Sequence, residues 1–256
     1  MRILFVGDVV GAVGRKMVGE HVRRIKAEQA IDLVIANGEN AAHGKGLTYK
    51  IYNQLLDYGV DVITMGNHTF SKDVILNFID DAEYLVRPMN LEPLEYGQYY
   101  KVVEVNGKKV CVCNIMCEVF MHNVSESPFA CMEMILEDVE ADIYFVDLHG
   151  EATSEKAAFA NVFKNQVQVI VGTHTHVQTA DERLIEQTAF ISDVGMCGAY
   201  DSIIGRDVSE VLTRFLTSEK TRFTVAEGDG MFCAAVIEID DNNHAVSIER
   251  IQIRPN

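Results

Sequence analysis

The sequence predicts an α/β fold of four layers, an α-β-β-α sandwich in which two mixed sheets lie face to face between outer helices. Three observations predict it. Short apolar runs alternate with segments of helical period. Two stretches, one mid-chain and one near the C-terminus, alternate apolar and polar residues about a tight turn and so add antiparallel strands. Five of the apolar runs end at residues that bind metals or move protons. Composition shows no seam along residues 1–256, so a single domain is expected.

The first run, residues 3–6, is a strand that stops at Gly7-Asp8. Gly11 and Gly14 loosen the turn, and Met17, Val18, His21, Val22 and Ile25 then recur at helical spacing before Ala30. The second strand, 33–36, runs into Gly38-Glu39-Asn40, and the stretch 41–46 that follows is too rich in glycine for regular structure. A helix over 47–58 turns Ile51, Leu55 and Tyr58 inward and stops at Gly59. The third strand, 62–65, leads to Gly66-Asn67-His68, after which Ser71 is placed to cap a helix over 72–79. Around Pro88 and Pro93 the rhythm lapses, and 98–105, Asn106-Gly107 and 108–115 read as a hairpin on a type I′ turn.

A loop over 117–127 carries His122, and Pro128 opens a helix reaching Val139. The fourth run, 143–146, delivers His149-Gly150 two residues later, and 156–165 is helical. Residues 167–171 form a buried strand that Gly172 breaks, and His174 and His176 leave its end on one side of an extended backbone. A short strand over 189–192 runs into Asp193-Val194-Gly195-Met196. A helix over 209–216 follows a loop holding Arg206, and 231–239 with 245–253 makes the second hairpin.

With 22 Lys+Arg against 38 Asp+Glu the formal charge is -16, which excludes a nonspecific grip on a nucleic-acid backbone or an anionic membrane. A small nucleotide is not excluded, because cations would make a pocket locally positive. No apolar run is long enough to cross a bilayer and no signal-like pattern opens the chain, so a cytoplasmic protein is expected. The six cysteines show no C-x-x-C spacing and sit in apolar segments, as reduced buried thiols would. Met132 and Met134 read as packing, and 137–140 as a solvated helix end.

In an open α/β sheet the crevice for chemistry lies beyond the carboxyl ends of the strands. Asp8, Glu39, Asn40, Asn67, His68, His149, His174 and His176 all stand there. Mixed oxygen and nitrogen donors suit manganese, iron, zinc or cobalt rather than calcium. A carboxylate can bridge two ions about 3.5–4 Å apart, a known clamp for phosphoryl displacement. Such a pair holds a phosphate oxygen and lowers the pKa of a bridging water, and a histidine beside a ligand could give the leaving alkoxide its proton. Singly, each residue has a plainer reading: Asp8 as a helix cap, Asn67 as a turn residue, His149 as a core histidine, His174 and His176 as solvated strand-end groups. His68 could be a ligand instead of an acid, His43 lies close enough to Glu39 to touch substrate, and the loop of His122 could overhang the pocket.

Taken in order, Gly7-Asp8, Gly38-Glu39-Asn40, Gly66-Asn67-His68, His149-Gly150 and Gly172-Thr173-His174-Thr175-His176 resemble the motifs of the calcineurin-like metallophosphoesterases, and more narrowly of the YmdB-type bacterial phosphodiesterases. The superfamily's first motif has a histidine two residues after the aspartate, where Val10 stands here, and its second is Gly-Asp, where Glu39 precedes Asn40. The YmdB-type branch is similar to this sequence in both respects.

That resemblance implies Asp8, Asn40 and His176 on one metal, Asn67, His149 and His174 on another, Glu39 bridging, and His68 as proton donor. It implies two divalent ions per chain, iron or manganese before zinc, cobalt or magnesium, and a dimetal phosphodiesterase acting on 2′,3′- or 3′,5′-cyclic nucleotides. It also implies a homo-oligomer without stable DNA binding. A phosphomonoesterase on the same metals, or a nucleotide- or RNA-binding regulator with little turnover, remain the alternatives.

Overall fold

The computed structural model describes residues 1–217 and 219–255. In chain order the elements are β1 (Arg2–Val6), β2 (Asp8–Val9), α1 (Gly11–Glu28), β3 (Leu33–Asn37), α2 (Tyr49–Asp57), β4 (Val62–Thr64), β5 (Leu85–Val86), β6 (Tyr100–Val105), β7 (Lys108–Met116), α3 (Pro128–Asp138), β8 (Ile143–His149), α4 (Thr153–Phe163), β9 (Val169–Thr173), β10 (Arg183–Ile185), β11 (Thr188–Ile191), β12 (Met196–Ala199), α5 (Val208–Thr217), β13 (Gly230–Ile239) and β14 (Ala245–Ile253). One sheet runs β2-β12-β13-β1-β3-β4-β5 with β14 on β13, and the other β10-β11-β9-β8-β7-β6. Both mix parallel and antiparallel pairs.

The layering follows from the period of two along each strand. In β1, Ile3 and Phe5 face the second sheet, where Phe145 and Val169 meet them, and the Phe5 and Phe145 rings lie 5.5 Å apart. Leu4 and Val6 face the other way, onto Met17, Val18 and Val22 of α1 and Leu55 of α2. On the far side of the second sheet Cys113, Val146 and Ile170 pack against Met132 of α3 and Phe159 and Phe163 of α4. Three apolar layers therefore separate four layers of secondary structure. No helix among the described residues is long and apolar enough to cross a membrane.

Helix starts use the expected chemistry at two places. Thr48 accepts from Ile51 N at 3.4 Å to open α2, and Ser127 accepts from Phe129 N at 3.3 Å ahead of Pro128. Asn106 and Gly107, both at positive φ, turn β6 into β7 as expected.

Several expectations need correction. Gly11 and Gly14 are the first turn of α1 and not a loop, with Gly14 N bonded to Val10 O. The helix over 72–79 is only a short 3-10 segment, Asp73–Asn77, and Ser71 does not cap it, because its hydroxyl faces His68. Gly172 does not break its strand: β9 continues through it to Thr173, and a Cβ there would collide with Ser192 O. Met134 is exposed and Met132 alone packs inward. All six cysteines are free and buried, and His122 and His43 are exposed.

Candidate metal centre

β1, β3 and β4 are parallel neighbours in one sheet, β8 and β9 in the other, so five carboxyl ends point toward one edge of the sandwich. Asp8 follows β1, Glu39 and Asn40 follow β3, Asn67 and His68 follow β4, His149 ends β8, and His174 and His176 follow β9. The structure brings all eight side chains together.

One group forms around Asn67. Its Oδ1 lies 2.9 Å from His149 Nε2 and 3.1 Å from His174 Nδ1, and those nitrogens are 3.2 Å apart. Glu39 Oε1 is 3.4 Å from His149 Nε2. Donor atoms about 2.0–2.2 Å from a shared cation sit roughly 3.0–3.5 Å from one another, so this spacing is that of a coordination shell. Glu39, His149 and His174 satisfy it as a three-residue cluster. Gly66 keeps the place open, because a Cβ on it would collide with Glu39 Oε2 and the His149 ring.

The second group is Asp8, Asn40 and His176. His176 Nε2 lies 3.3 Å from Asn40 Nδ2 and 3.8 Å from Asp8 Oδ1. Asn40 also reaches Glu39 Oε1 at 2.9 Å, which makes Glu39 the side chain common to both groups. The amide shows its nitrogen to these acceptors, and half a turn about χ2 would present Oδ1 to the same place.

Electrostatics favour a cation between them. Asp8 is fully buried; Oδ2 accepts from His174 N at 3.2 Å, while Oδ1 has no hydrogen-bond partner. Burial first, then the neighbouring Asp193 and Asp147 carboxylates, hold its pKa well above the ordinary range. Burial and the Asp8 charge push Glu39 up to about 8. Two buried carboxylates short of positive charge, one with an orphaned oxygen, fit divalent cations.

The imidazoles are set for the same task. Ligand histidines usually donate their second nitrogen to an acceptor that fixes the tautomer. His149 Nδ1 is 2.9 Å from Thr173 Oγ1, whose hydroxyl donates to Asp147 Oδ1 at 2.6 Å. His174 Nε2 is 3.3 Å from Glu151 Oε2, and His176 Nδ1 is 2.9 Å from Ile204 O. Each ring thus turns its remaining nitrogen to the centre. Burial holds His149 well below the usual histidine value and lowers His174, which keeps both lone pairs available. His68 differs. Its backbone N donates to Glu39 Oε2 at 2.8 Å, its Nδ1 meets Ser71 Oγ at 3.2 Å, and burial, with Lys45 and Arg206 nearby, lowers it to about 4.

The backbone carrying His174 and His176 is not extended as the sequence suggested. Both residues have positive φ, 102° and 66°, a conformation that costs non-glycine residues about 1–3 kcal/mol each. Asp193 holds the turn by accepting from Thr175 N at 2.9 Å and Gly195 N at 2.8 Å, and Lys156, fully buried, donates to Thr173 O at 2.7 Å. Sequence reasoning passed over Asp147, Glu151, Lys156, Thr173 and Asp193 as functional groups. Asp147 left a signal, a carboxylate inside an apolar run two residues before His149. Lys156 left none.

A family model described as YmdB-like protein matches residues 4–251. The chain is 48% identical over 256 residues to a Bacillus subtilis protein named 2′,3′-cyclic-nucleotide 2′-phosphodiesterase, covering 99% of this chain and 97% of that one. Its fold superposes on the crystal structure of a phosphatase from Mycoplasma pneumoniae with a TM-score of 0.95 at 35% identity, covering 99% and 93% of the two chains. A 5′-nucleotidase precursor from Thermus thermophilus shares the fold alone, with a TM-score of 0.57 at 14% identity over 99% of this chain and 54% of that one.

Proposed function

This chain belongs to the YmdB-like family and is a hydrolase of phosphoric esters, and from that premise we propose that it opens the cyclic phosphodiester of a 2′,3′-cyclic nucleotide at two divalent cations. The observation that carries the reading is the convergence of eight side chains at five strand ends, with three imidazoles each tied off at the nitrogen that faces away from the centre. Asp8, Asn40 and His176 would hold one ion, Asn67, His149 and His174 the other, and Glu39 would be shared. Iron or manganese is the pair we assign, from among the several divalent metals this donor set accepts. When bound, such a pair supplies Lewis acidity toward the phosphoryl oxygens and acidifies water toward neutral pH.

The remaining chemistry belongs to the chain's own residues. Cleavage of the P–O2′ bond adds hydroxide to phosphorus and leaves O2′ needing a proton, so the product is a nucleoside 3′-phosphate. His68 is the group to supply that proton through Nε2, since Nδ1 is engaged by Ser71. Its pKa is low in the protein alone, and an anionic phosphate arriving beside Lys45, Arg206 and His68 raises it toward the working range. The apolar layer shared by both sheets supports reading residues 1–256 as one catalytic domain, which we place in the cytoplasm as a homo-oligomer.

The test is phosphorus NMR on manganese-loaded protein given a 2′,3′-cyclic nucleotide, a 3′,5′-cyclic nucleotide and a nucleoside monophosphate together. Selective loss of the 2′,3′-cyclic resonance, abolished by chelator, is expected. Free phosphate from the monoester would shift the assignment to a phosphomonoesterase, the reading that the name of the Mycoplasma pneumoniae structure favours. His68→Ala should keep its metals and lose about 10²- to 10⁴-fold in rate; loss of metal would make His68 a ligand.

A further inference from the structure

Beside the centre runs a groove of about 440 Å³, between the start of α1 and residues 222–227, with His43 at its edge. It shares a wall with the site. Asn40 O accepts from Gly11 N, which lines the groove, and from Gly44 N, both at 3.0 Å, so the backbone of a candidate ligand adjoins the groove. Gly44 has positive φ, and a Cβ on it would press into Val225 Cγ2 at 2.7 Å and collide with the Arg206 guanidinium, so both side chains pack directly on this backbone.

Arg206 packs beside Val225 on the Gly44 backbone. Its Nη2 donates to Gly44 O at 2.7 Å, and it lies two residues from Ile204, whose carbonyl orients His176. No carboxylate among the described residues pairs with it, and Nε and Nη1 have no protein partner there. A guanidinium with donors to spare in a chain of formal charge -16 is suited to an anion. The rest of the lining mixes Val13, Phe223, Val225 and Ala226 with Arg222 and Glu227, and Arg214 stands over the Phe223 ring at 4.9 Å. A second groove, of about 500 Å³, opens at the amino ends of β3 and β4 beside Asp32, Asp61 and Glu104, where a phosphate would be repelled.

We propose that this groove is the nucleoside subsite of the enzyme: the Arg206 guanidinium takes a phosphate oxygen, and the base lies against Val225 and Phe223 with His43 over its edge. The assignment rests on the phosphodiesterase reading and adds to it the place of the nucleoside. It makes the enzyme selective for nucleotides over esters that lack a base, because an aromatic and aliphatic slot recognises a flat ring whatever its hydrogen-bonding edge.

Ala12 is exposed on the first turn of α1 and lines the groove, so Ala12→Trp fills the slot without touching the core. Two readouts are taken on manganese-loaded protein. Titration calorimetry follows 3′-AMP, which needs no turnover, and kinetics compare 2′,3′-cyclic AMP with ethylene phosphate, which has the same cyclic ester and no flat ring. Ala12→Trp should weaken 3′-AMP binding roughly tenfold and lower the ratio of kcat/KM for the cyclic nucleotide over ethylene phosphate by a similar factor. Arg206→Ala should weaken inhibition by inorganic phosphate about tenfold. Unchanged 3′-AMP affinity in Ala12→Trp, an unchanged substrate ratio, or no binding of 3′-AMP to the wild-type protein overturns the proposal, and unchanged phosphate inhibition overturns the role of Arg206. If the wild-type protein binds 3′-AMP through the groove yet leaves 2′,3′-cyclic AMP intact, the phosphodiesterase reading fails and the subsite stands.

Discussion

Glu39→Gln should make the metal-free protein more stable at pH 8 while removing its response to metal. Glu39 is 1% exposed and its pKa rises from 4.5 to about 8, first through burial and then through Asp8. A carboxyl group raised in this way favours folding below the unfolded value near 4.5, and that contribution is lost as pH climbs through the folded value near 8. The ionised side chain therefore destabilises the fold by roughly 4 kcal/mol at pH 8 but by under about 1 kcal/mol at pH 5.

Glutamine carries no charge at either pH. It keeps one acceptor oxygen where Glu39 had two, receiving His68 N and Asn40 Nδ2, so one of those contacts is lost at a cost of about 1–2 kcal/mol. The net gain is about 2–3 kcal/mol at pH 8, and at pH 5 the balance falls to zero or below. At roughly 2–4 °C per kcal/mol for a chain of this size, chelated Glu39→Gln should melt about 5–10 °C above chelated wild type at pH 8. Differential scanning calorimetry with and without manganese reads both halves, since a ligand bound only by the native state raises Tm with the logarithm of its affinity. A chelated variant that melts below chelated wild type at pH 8 would refute the electrostatic account. A variant whose Tm rises with manganese as much as wild type would refute the shared-ligand role.

Thr173→Val removes the hydroxyl between His149 Nδ1 and Asp147 and should weaken metal affinity about 10- to 100-fold, while Thr173→Ser restores it; equal affinity in both variants by metal titration would show the relay to be inert. Gly66→Ala places a methyl against the buried Glu39 Oε2 and His149 ring, so metal content by elemental analysis should fall below one ion per chain and the chelated form should also melt lower, by about 1–3 kcal/mol of overpacking; a full complement of metal would mean that the cations sit elsewhere.

What the sequence made legible is what parallel strands make legible. A run such as β9 is apolar because both faces are buried, and it must end where a crossover begins, so the residues just past it stand at a known edge of the sheet. Asp8, Glu39, Asn40, Asn67, His68, His149, His174 and His176 were all readable by that rule. The short strands β2, β5, β10 and β12 were not, because two to four residues carry no period and their pairing is imposed by neighbours distant in sequence. Ser71 was misread for a related reason. A hydroxyl just ahead of an apolar stretch resembles a cap, and only the tertiary position of His68 shows that its partner is an imidazole. Lys156 lies on a helix, and nothing local distinguishes it from a solvated lysine; its burial is set by the turn of β9 that it supports.

Two kinds of unfavourable energy meet at this site, and they have different remedies. The Asp8 and Glu39 carboxylates are unfavourable because charge is buried, and cations would offset that directly. The positive φ of His174 and His176 is a backbone cost that no cation removes, so the scaffold has to hold it. It does so with Asp193 on Thr175 N and with Asp8 Oδ2 on His174 N, and the latter contact is the telling one. A carboxylate from the end of β1 in one sheet fixes the strained turn after β9 in the other, while its second oxygen is left without a partner. On the proposed reading Asp8 would do two jobs with its two oxygens, so asparagine would keep the turn through Oδ1 yet not replace the charge. Metal affinity and turn geometry should separate in Asp8→Asn, with the His174 backbone unmoved and the cation lost.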